Sequence, residues 1–208
     1  MLSYSIMENL KMGENIKSLI IKNEYFQIFI ISTVMGIVGQ TILPWLSIKL
    51  NIYYFNFRFF ISNIDIYPFI VILLINFKNT KPKKAFWRIL IYFTGLCLGY
   101  YGYTSAIAVY NAFLSGNANY LLNILFDLKD SLEYIFVGVL AGLWGFFMLK
   151  YKYRKRLYGL LVLPFILINI YILYANFTCN PPQIFMIIVD ILCLVGIIMC
   201  SFNHKLSE

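Results

Sequence analysis

The chain has 208 residues, of which 61% are hydrophobic and only 12% are charged, whereas soluble domains carry about 25% charged residues. This composition excludes a disordered chain, a coiled coil, a disulfide scaffold and an ordinary cytosolic enzyme. Several apolar runs reach the length of about 20 residues that crosses a bilayer. We therefore expect an all-α integral membrane protein.

Six apolar stretches predict a bundle of six transmembrane helices in one domain over residues 25–202. An amphipathic cytoplasmic segment, residues 1–24, precedes the bundle, and a short cytoplasmic tail, residues 203–208, follows it. The predicted spans are 25–45, 59–77, 86–110, 134–149, 157–175 and 183–202. Leucines at helical spacing between the third and fourth spans predict a short amphipathic outer helix near 120–133.

The Lys and Arg residues are concentrated in alternate loops. Of the 17, all but Lys49, Arg58 and Lys129 fall in the N-terminal segment, the second-to-third loop, the fourth-to-fifth loop or the tail. Cytoplasmic loops of membrane proteins carry the excess of basic residues, so we expect both termini to be cytoplasmic and the protein to lie in a cell membrane. The net charge of +8 then serves topology and contact with the lipid bilayer, and no nucleic-acid partner is expected.

Ionisable residues inside spans are candidates for function, because they are costly in hydrocarbon. Asp65 lies in the second span beside Ser62 and Asn63, and Asp190 lies in the sixth. Both spans enter from the outer side, so the two carboxylates fall at similar depth. If the spans are neighbours, they could share a cation or a proton in an outward-opening pocket.

A structural role is the alternative for both aspartates. Asp65 could lie near the headgroups at an interfacial helix end, paired with Arg58. Asp190 could make a single interhelical hydrogen bond to Asn169 or to a tyrosine hydroxyl.

Four further residues complete the candidate ligand-binding set, and one of them is Asn169 in the fifth span. Gln40 in the first span carries an amide that needs partners at that depth. Tyr100 and Tyr103 in the third span could line a pocket with aromatic faces and hydroxyls.

Two GxxxG motifs predict close helix packing. Gly95 and Gly99 form one in the third span, and Gly138 and Gly142 form the other in the fourth. Such motifs let a neighbouring backbone approach closely, either within the chain or from a partner protein in the membrane.

The sequence offers no enzymatic or cofactor signature. His204 is the only histidine, so no His-containing catalytic triad or HExxH zinc motif can be assembled within the membrane. The chain has no P-loop and no GxGxxG fingerprint. We therefore expect no enzymatic activity, no metal and no cofactor.

In size and topology the predicted bundle resembles the small six-helix substrate-capture subunits of bacterial vitamin importers. This resemblance implies a solute-binding or transport component that needs a separate energising partner and binds a small-molecule solute. The alternative is a non-transporting interaction protein, such as an accessory, immunity or sensory subunit, that docks on a membrane partner through its glycine-rich helix faces.

Overall fold

A computed structural model of the chain describes residues 23–42, 45, 49, 66–76, 80–117, 119–179, 182 and 184–202. Over these residues, every regular element is an α-helix. The six helices are α1 (Glu24–Gln40), α2 (Tyr67–Asn76), α3 (Pro82–Ser115), α4 (Asn119–Lys150), α5 (Lys155–Thr178) and α6 (Ile184–Phe202).

Each predicted span has one corresponding helix, but only three of the described helices are long and apolar enough to cross a membrane. These are α5, α6 and the part of α4 over Leu122–Lys150. The described lengths of α1 and α2 are 17 and 10 residues. The apolar stretch of α3 is diluted by glycine, threonine and tyrosine residues. The three long apolar helices indicate a membrane protein.

Residues 120–133 are helical as predicted, but they do not form a separate outer helix. They are the first part of α4, which is continuous from Asn119 to Lys150. Helix α3 likewise continues past its predicted end at residue 110 and ends at Ser115, where Gly116 adopts a left-handed conformation with φ 64°. At about 1.5 Å per residue, the 34 and 32 residues of α3 and α4 make helices about 50 Å long. Hydrocarbon is about 30 Å thick, so this hairpin is longer than a bilayer requires.

Helix α3 packs against α1 through direct contact between their backbones. A Cβ atom added to Gly99 would collide with the carbonyl oxygen of Thr33, and one added to Gly36 would collide with that of Leu96. A Cβ atom on Gly95 would collide with the Ser32 hydroxyl. The GxxxG motif of α3 is therefore covered by α1 of the same chain.

Helix α3 contacts α4 along a second glycine face. A Cβ atom on Gly138 would lie 2.6 Å from the Cβ atom of Phe93, and one on Gly142 would lie 2.9 Å from the Phe86 ring. Gly145 continues this face. The GxxxG motif of α4 thus packs on α3, and the three helices α1, α3 and α4 form one tightly packed unit.

Helix α2 connects this unit to the hairpin formed by α5 and α6. The Tyr67 ring packs on the Phe93 ring of α3 with centroids 5.3 Å apart. On its other side, the Phe69 ring lies against Gly196 of α6. Helices α2 and α6 are therefore neighbours, which was the condition for bringing the second and sixth predicted spans together.

The core lies mainly toward the end of the bundle that carries residues 80–84 and 150–156, which we call the basic end. The opposite end is called the distal end. Core residues come from α2, the first half of α3, the last turn of α4, the first half of α5 and the last part of α6: Tyr67, Val71, Ile72, Ile75, Ala85, Ile89, Tyr92, Phe93, Leu96, Met148, Leu149, Tyr158, Val162 and Ile197. The distal half is packed less completely, and the cavities described below lie there and in the middle of the bundle.

A buried arginine links three helices at the basic end. Arg88 falls at the start of the predicted third span and is counted above with the basic residues of the second-to-third loop. In the structure it lies in α3, and its side chain is only 1% exposed. The Arg88 guanidinium pairs with Glu24 at the start of α1, and it donates to the Thr80 hydroxyl and to the Leu74 carbonyl oxygen at 3.3 Å. Lys84 also pairs with Glu24. Partial burial alone would raise the pKa of Glu24, but the bonds and charges of Arg88 and Lys84 outweigh it and lower that pKa below its ordinary value.

We predict that Gly99→Ala separates α1 from α3 and lowers the free energy of unfolding in detergent by about 1–3 kcal/mol, because the added methyl group overpacks a backbone contact. Gly102→Ala is the matched control, since a Cβ atom there meets only Leu98 at 3.7 Å. Both changes add the same helix propensity. Equal stability of the two variants in thermal unfolding would contradict the packing.

We predict that Glu24→Gln lowers the free energy of unfolding by about 1–3 kcal/mol at pH 7, because the buried Arg88 loses its carboxylate. The pKa of folded Glu24 lies below the ordinary value of 4.5. The contribution of the ion pair is therefore complete above pH 4.5 and is lost as the pH falls through the folded pKa. The difference between wild type and variant in thermal unfolding should shrink over that acidic range. Glu133→Gln, at an exposed ion pair, is the control expected to change little.

Candidate functional site

Within the described part of the chain, none of the candidate ligand-binding residues lines either of the two cavities presented below. Ser62, Asn63 and Asp65 lie outside the described residues. Gln40 is the half-buried last residue of α1. Tyr100 and Tyr103 are half-buried on α3, where the Tyr100 ring contacts the Tyr101 ring with centroids 5.0 Å apart.

Asp190 is completely buried between α5 and α6. Its Oδ2 atom accepts a hydrogen bond of 2.8 Å from Nδ2 of Asn176, a residue that the predicted fifth span excluded. Asn169 is also completely buried, seven residues before Asn176 on α5. Residues seven apart lie on the same helix face, so this spacing could have indicated Asn176 as a second amide facing α6. The structure thus assigns Asp190 an interhelical contact.

A polar cavity of about 320 Å³ lies between α3 and α4 at the distal end. Its polar side chains are Thr104 and Asn111 on α3 and Tyr120, Asn123 and Asp127 on α4, and its apolar side chains are Ile107, Ala108 and Phe126. Tyr120 and Asn123 are exposed, so the cavity reaches the protein surface.

Asp127 lies in the wall of this polar cavity beside two hydroxyl groups of α3. Ser105 Oγ lies 3.0 Å from Oδ2 of Asp127. Thr104 Oγ1 lies 2.7 Å from the same oxygen and 2.9 Å from the Tyr101 carbonyl oxygen, so its one hydrogen can go to either acceptor. Among the described residues, none donates a hydrogen bond to the other carboxylate oxygen, Oδ1. The side-chain amides of Asn111 and Asn123 also make no hydrogen bond within the described part of the chain. The cavity therefore presents one oriented carboxylate and two amides for binding.

Asp127 is not among the predicted site residues, because a separate outer helix near 120–133 would place it on the surface of the bundle. No glycine or proline interrupts residues 119–137, which favours one continuous helix over a helix–loop–helix arrangement. A continuous α4 antiparallel to α3 brings Asp127 level with Thr104 and Ser105. The absence of glycine and proline from this stretch was the sequence feature that could have indicated the site.

A second and larger cavity, about 560 Å³, lies between α4 and α5, and we call it the apolar cleft. Helices α2 and α3 contribute Tyr67, Pro68, Val71 and Phe93. Helix α4 contributes Glu133, Tyr134, Val137, Leu140, Ala141 and Trp144. Helix α5 contributes Pro164, Phe165 and Ile168. Among the described residues, Glu133 is the only charged one in this lining.

The described residues include no group of three or more His, Cys, Asp or Glu side chains that could hold a metal ion. The four cysteines are free, and only Cys179 is exposed. The candidate sites are the two cavities, namely the polar cavity with its carboxylate and the apolar cleft. Comparisons of the chain with protein-family models, with curated proteins and with solved structures give no match.

We predict that Asn176 and Asp190 stabilise the α5–α6 hairpin as a pair. A double-mutant cycle with Asn176→Ala and Asp190→Ala, followed by thermal unfolding in detergent, should give a coupling energy of about 1 kcal/mol, within the range of hydrogen bonds between membrane helices. Additive effects of the two substitutions would show that the hydrogen bond contributes nothing to stability.

Proposed function

We propose that the chain crosses a cell membrane six times, with both termini and the basic end in the cytoplasm. Six helices in antiparallel succession support this topology, because each matches one predicted span. The basic loops over residues 80–84 and 150–156 then lie together on the cytoplasmic side. The distal end, with the polar cavity, faces the cell exterior.

We propose that the protein is a solute-binding component of a membrane transport system and that the polar cavity is its outward-facing binding site. The observation that carries this proposal is the Asp127 carboxylate, oriented by Thr104 and Ser105 at the wall of a cavity that reaches the surface. The cavity lies between α3 and α4, whereas the predicted pocket took its polar groups mainly from the first, second and sixth spans, with Tyr100 and Tyr103 from the third.

The chemistry of the polar cavity favours a small cationic solute. One carboxylate oxygen already lies within hydrogen-bond distance of two hydroxyls, which orients the carboxyl group and leaves Oδ1 for an ammonium or guanidinium donor. Asn111 and Asn123 can bind further polar groups of the solute. The volume of about 320 Å³ is at the small end of ligand pockets, which measure about 300–1,000 Å³.

Transport would require a separate energising partner, because the sequence contains no nucleotide-binding motif. The alternative function, a non-transporting interaction subunit, cannot use the glycine faces as they stand, since α1, α3 and α4 cover them mutually. It is favoured instead by the tip of the α3–α4 hairpin, where large apolar side chains are exposed: Tyr110, Phe113, Leu114, Leu125 and Phe126.

We predict that small amines and guanidines raise the melting temperature of the detergent-solubilised protein, whereas neutral alcohols of the same size do not. A ligand at about 100 times its Kd should stabilise the fold by about 2.7 kcal/mol. Asp127→Asn should abolish the shift, because the anionic group is lost. Asp130→Asn is the matched control: it removes the same charge one turn away, at a residue outside the cavity lining.

Two results would contradict the proposed site. One is a shift of equal size in Asp127→Asn and wild type. The other is a melting temperature that no cationic solute raises above the effect of the neutral alcohols, which would leave the interaction subunit as the better account.

A further inference from the structure

The apolar cleft opens between two helices that are held together near the basic end. Helices α4 and α5 are joined there by residues 151–154, and Trp144 Nε1 donates a hydrogen bond of 2.9 Å to the Leu161 carbonyl oxygen. Further along α5, Pro164 removes one backbone hydrogen bond of the helix. The cleft occupies the space from this point toward the distal end, where α4 and α5 pack only loosely.

The walls of the cleft suit an alkyl chain. Val137, Leu140 and Ile168 are 48%, 51% and 42% exposed, so the opening faces the surface that hydrocarbon would cover. The indole N–H of Trp144 is already bound to Leu161, so Trp144 offers the cleft only its ring. Burying an alkyl chain against such walls is favourable when the chain comes from water. A lipid chain that is already surrounded by other lipid chains gains little free energy by moving into the cleft. Selectivity must therefore come from a polar group.

The polar group of the cleft is a carboxylate at its distal rim. Glu133 lines the cleft and its side chain is 66% exposed. Its partner Lys129 is 70% exposed, and Lys129 Nζ lies 3.7 Å from Oε1 of Glu133. Solvent weakens an exposed i,i+4 ion pair of this kind. Asp130 lies four residues before Tyr134, which also lines the cleft, so the two residues share one face of α4. With two carboxylates and one lysine, the rim is negative.

We propose that the apolar cleft binds a single-chain amphiphile with a cationic head group, whose chain lies between α4 and α5 and whose head group contacts Glu133. The negative rim complements an ammonium group, and the walls complement the chain. This site is separate from the polar cavity, which is lined by residues 120–127 of α4 rather than 133–144. Either site can exist without the other.

Trp144 provides a direct reporter, because it lies in the cleft and the chain has only three tryptophans. In a Trp45→Phe, Trp87→Phe background reconstituted in zwitterionic vesicles, its fluorescence is titrated with doxyl-labelled stearyl chains that carry an ammonium, a hydroxyl or a carboxylate head group. We predict saturable quenching, with half-saturation at a mole fraction about two- to fivefold lower for the ammonium probe than for the carboxylate probe.

Two variants separate the head group from the chain. Glu133→Gln should remove the preference for ammonium while quenching by the chain persists. Val137→Phe should fill the cleft and reduce quenching by all three probes, whereas Leu143→Phe, an exposed α4 residue outside the lining, should not. The proposal is overturned if the three wild-type titrations coincide, if Glu133→Gln keeps the ammonium preference, or if Val137→Phe and Leu143→Phe are quenched equally.

Discussion

Close approach between helices, at glycine residues, is the constraint on which the rest of this structure depends. Helix α3 is contacted on one side by α1 at Gly95 and Gly99, and on the other by α4 at Gly138 and Gly142. In hydrocarbon, helices gain little from burying apolar surface, so close approach and dispersion must hold them together. A helix fixed from two sides provides a rigid wall, and the Thr104 and Ser105 hydroxyls that orient Asp127 project from that wall.

The polar groups of the bundle are treated differently at its two ends. At the basic end, the Arg88 guanidinium is buried in the core. Its charge is compensated there by the Glu24 carboxylate and by two further acceptors. At the distal end, Asp127 and Glu133 are held beside cavities that reach the surface. Asp190 differs from both groups, because its carboxyl group is buried and its partner is a neutral amide on α5. The bundle therefore has a packed basic end, and the two cavities lie in its distal half and in its middle.

The sequence was sufficient to predict helices in all six regions, because apolar runs of this length have few alternatives. Helix ends and contacts between helices were harder. The break expected between residues 110 and 134 is confined to a few residues around Gly116, and this shift moved Asp127 from a surface helix to the wall of a cavity. Arg88 resembled a topogenic loop residue, since its burial depends on Glu24, 64 positions earlier in the chain. Such long-range pairings leave no periodic signal in a single sequence.

The orientation of the bundle in the membrane decides whether the polar cavity can bind an external solute. Only a basic end in the cytoplasm makes that cavity accessible from outside. Cys179, the exposed residue that follows α5, lies at the distal end, and the other three cysteines lie within helices as buried or half-buried residues. A membrane-impermeant maleimide applied to intact cells measures the orientation directly, with Cys179→Ser as the control. The account predicts that wild type is labelled without permeabilisation and that the variant is not. Labelling of Cys179 only after permeabilisation would contradict it.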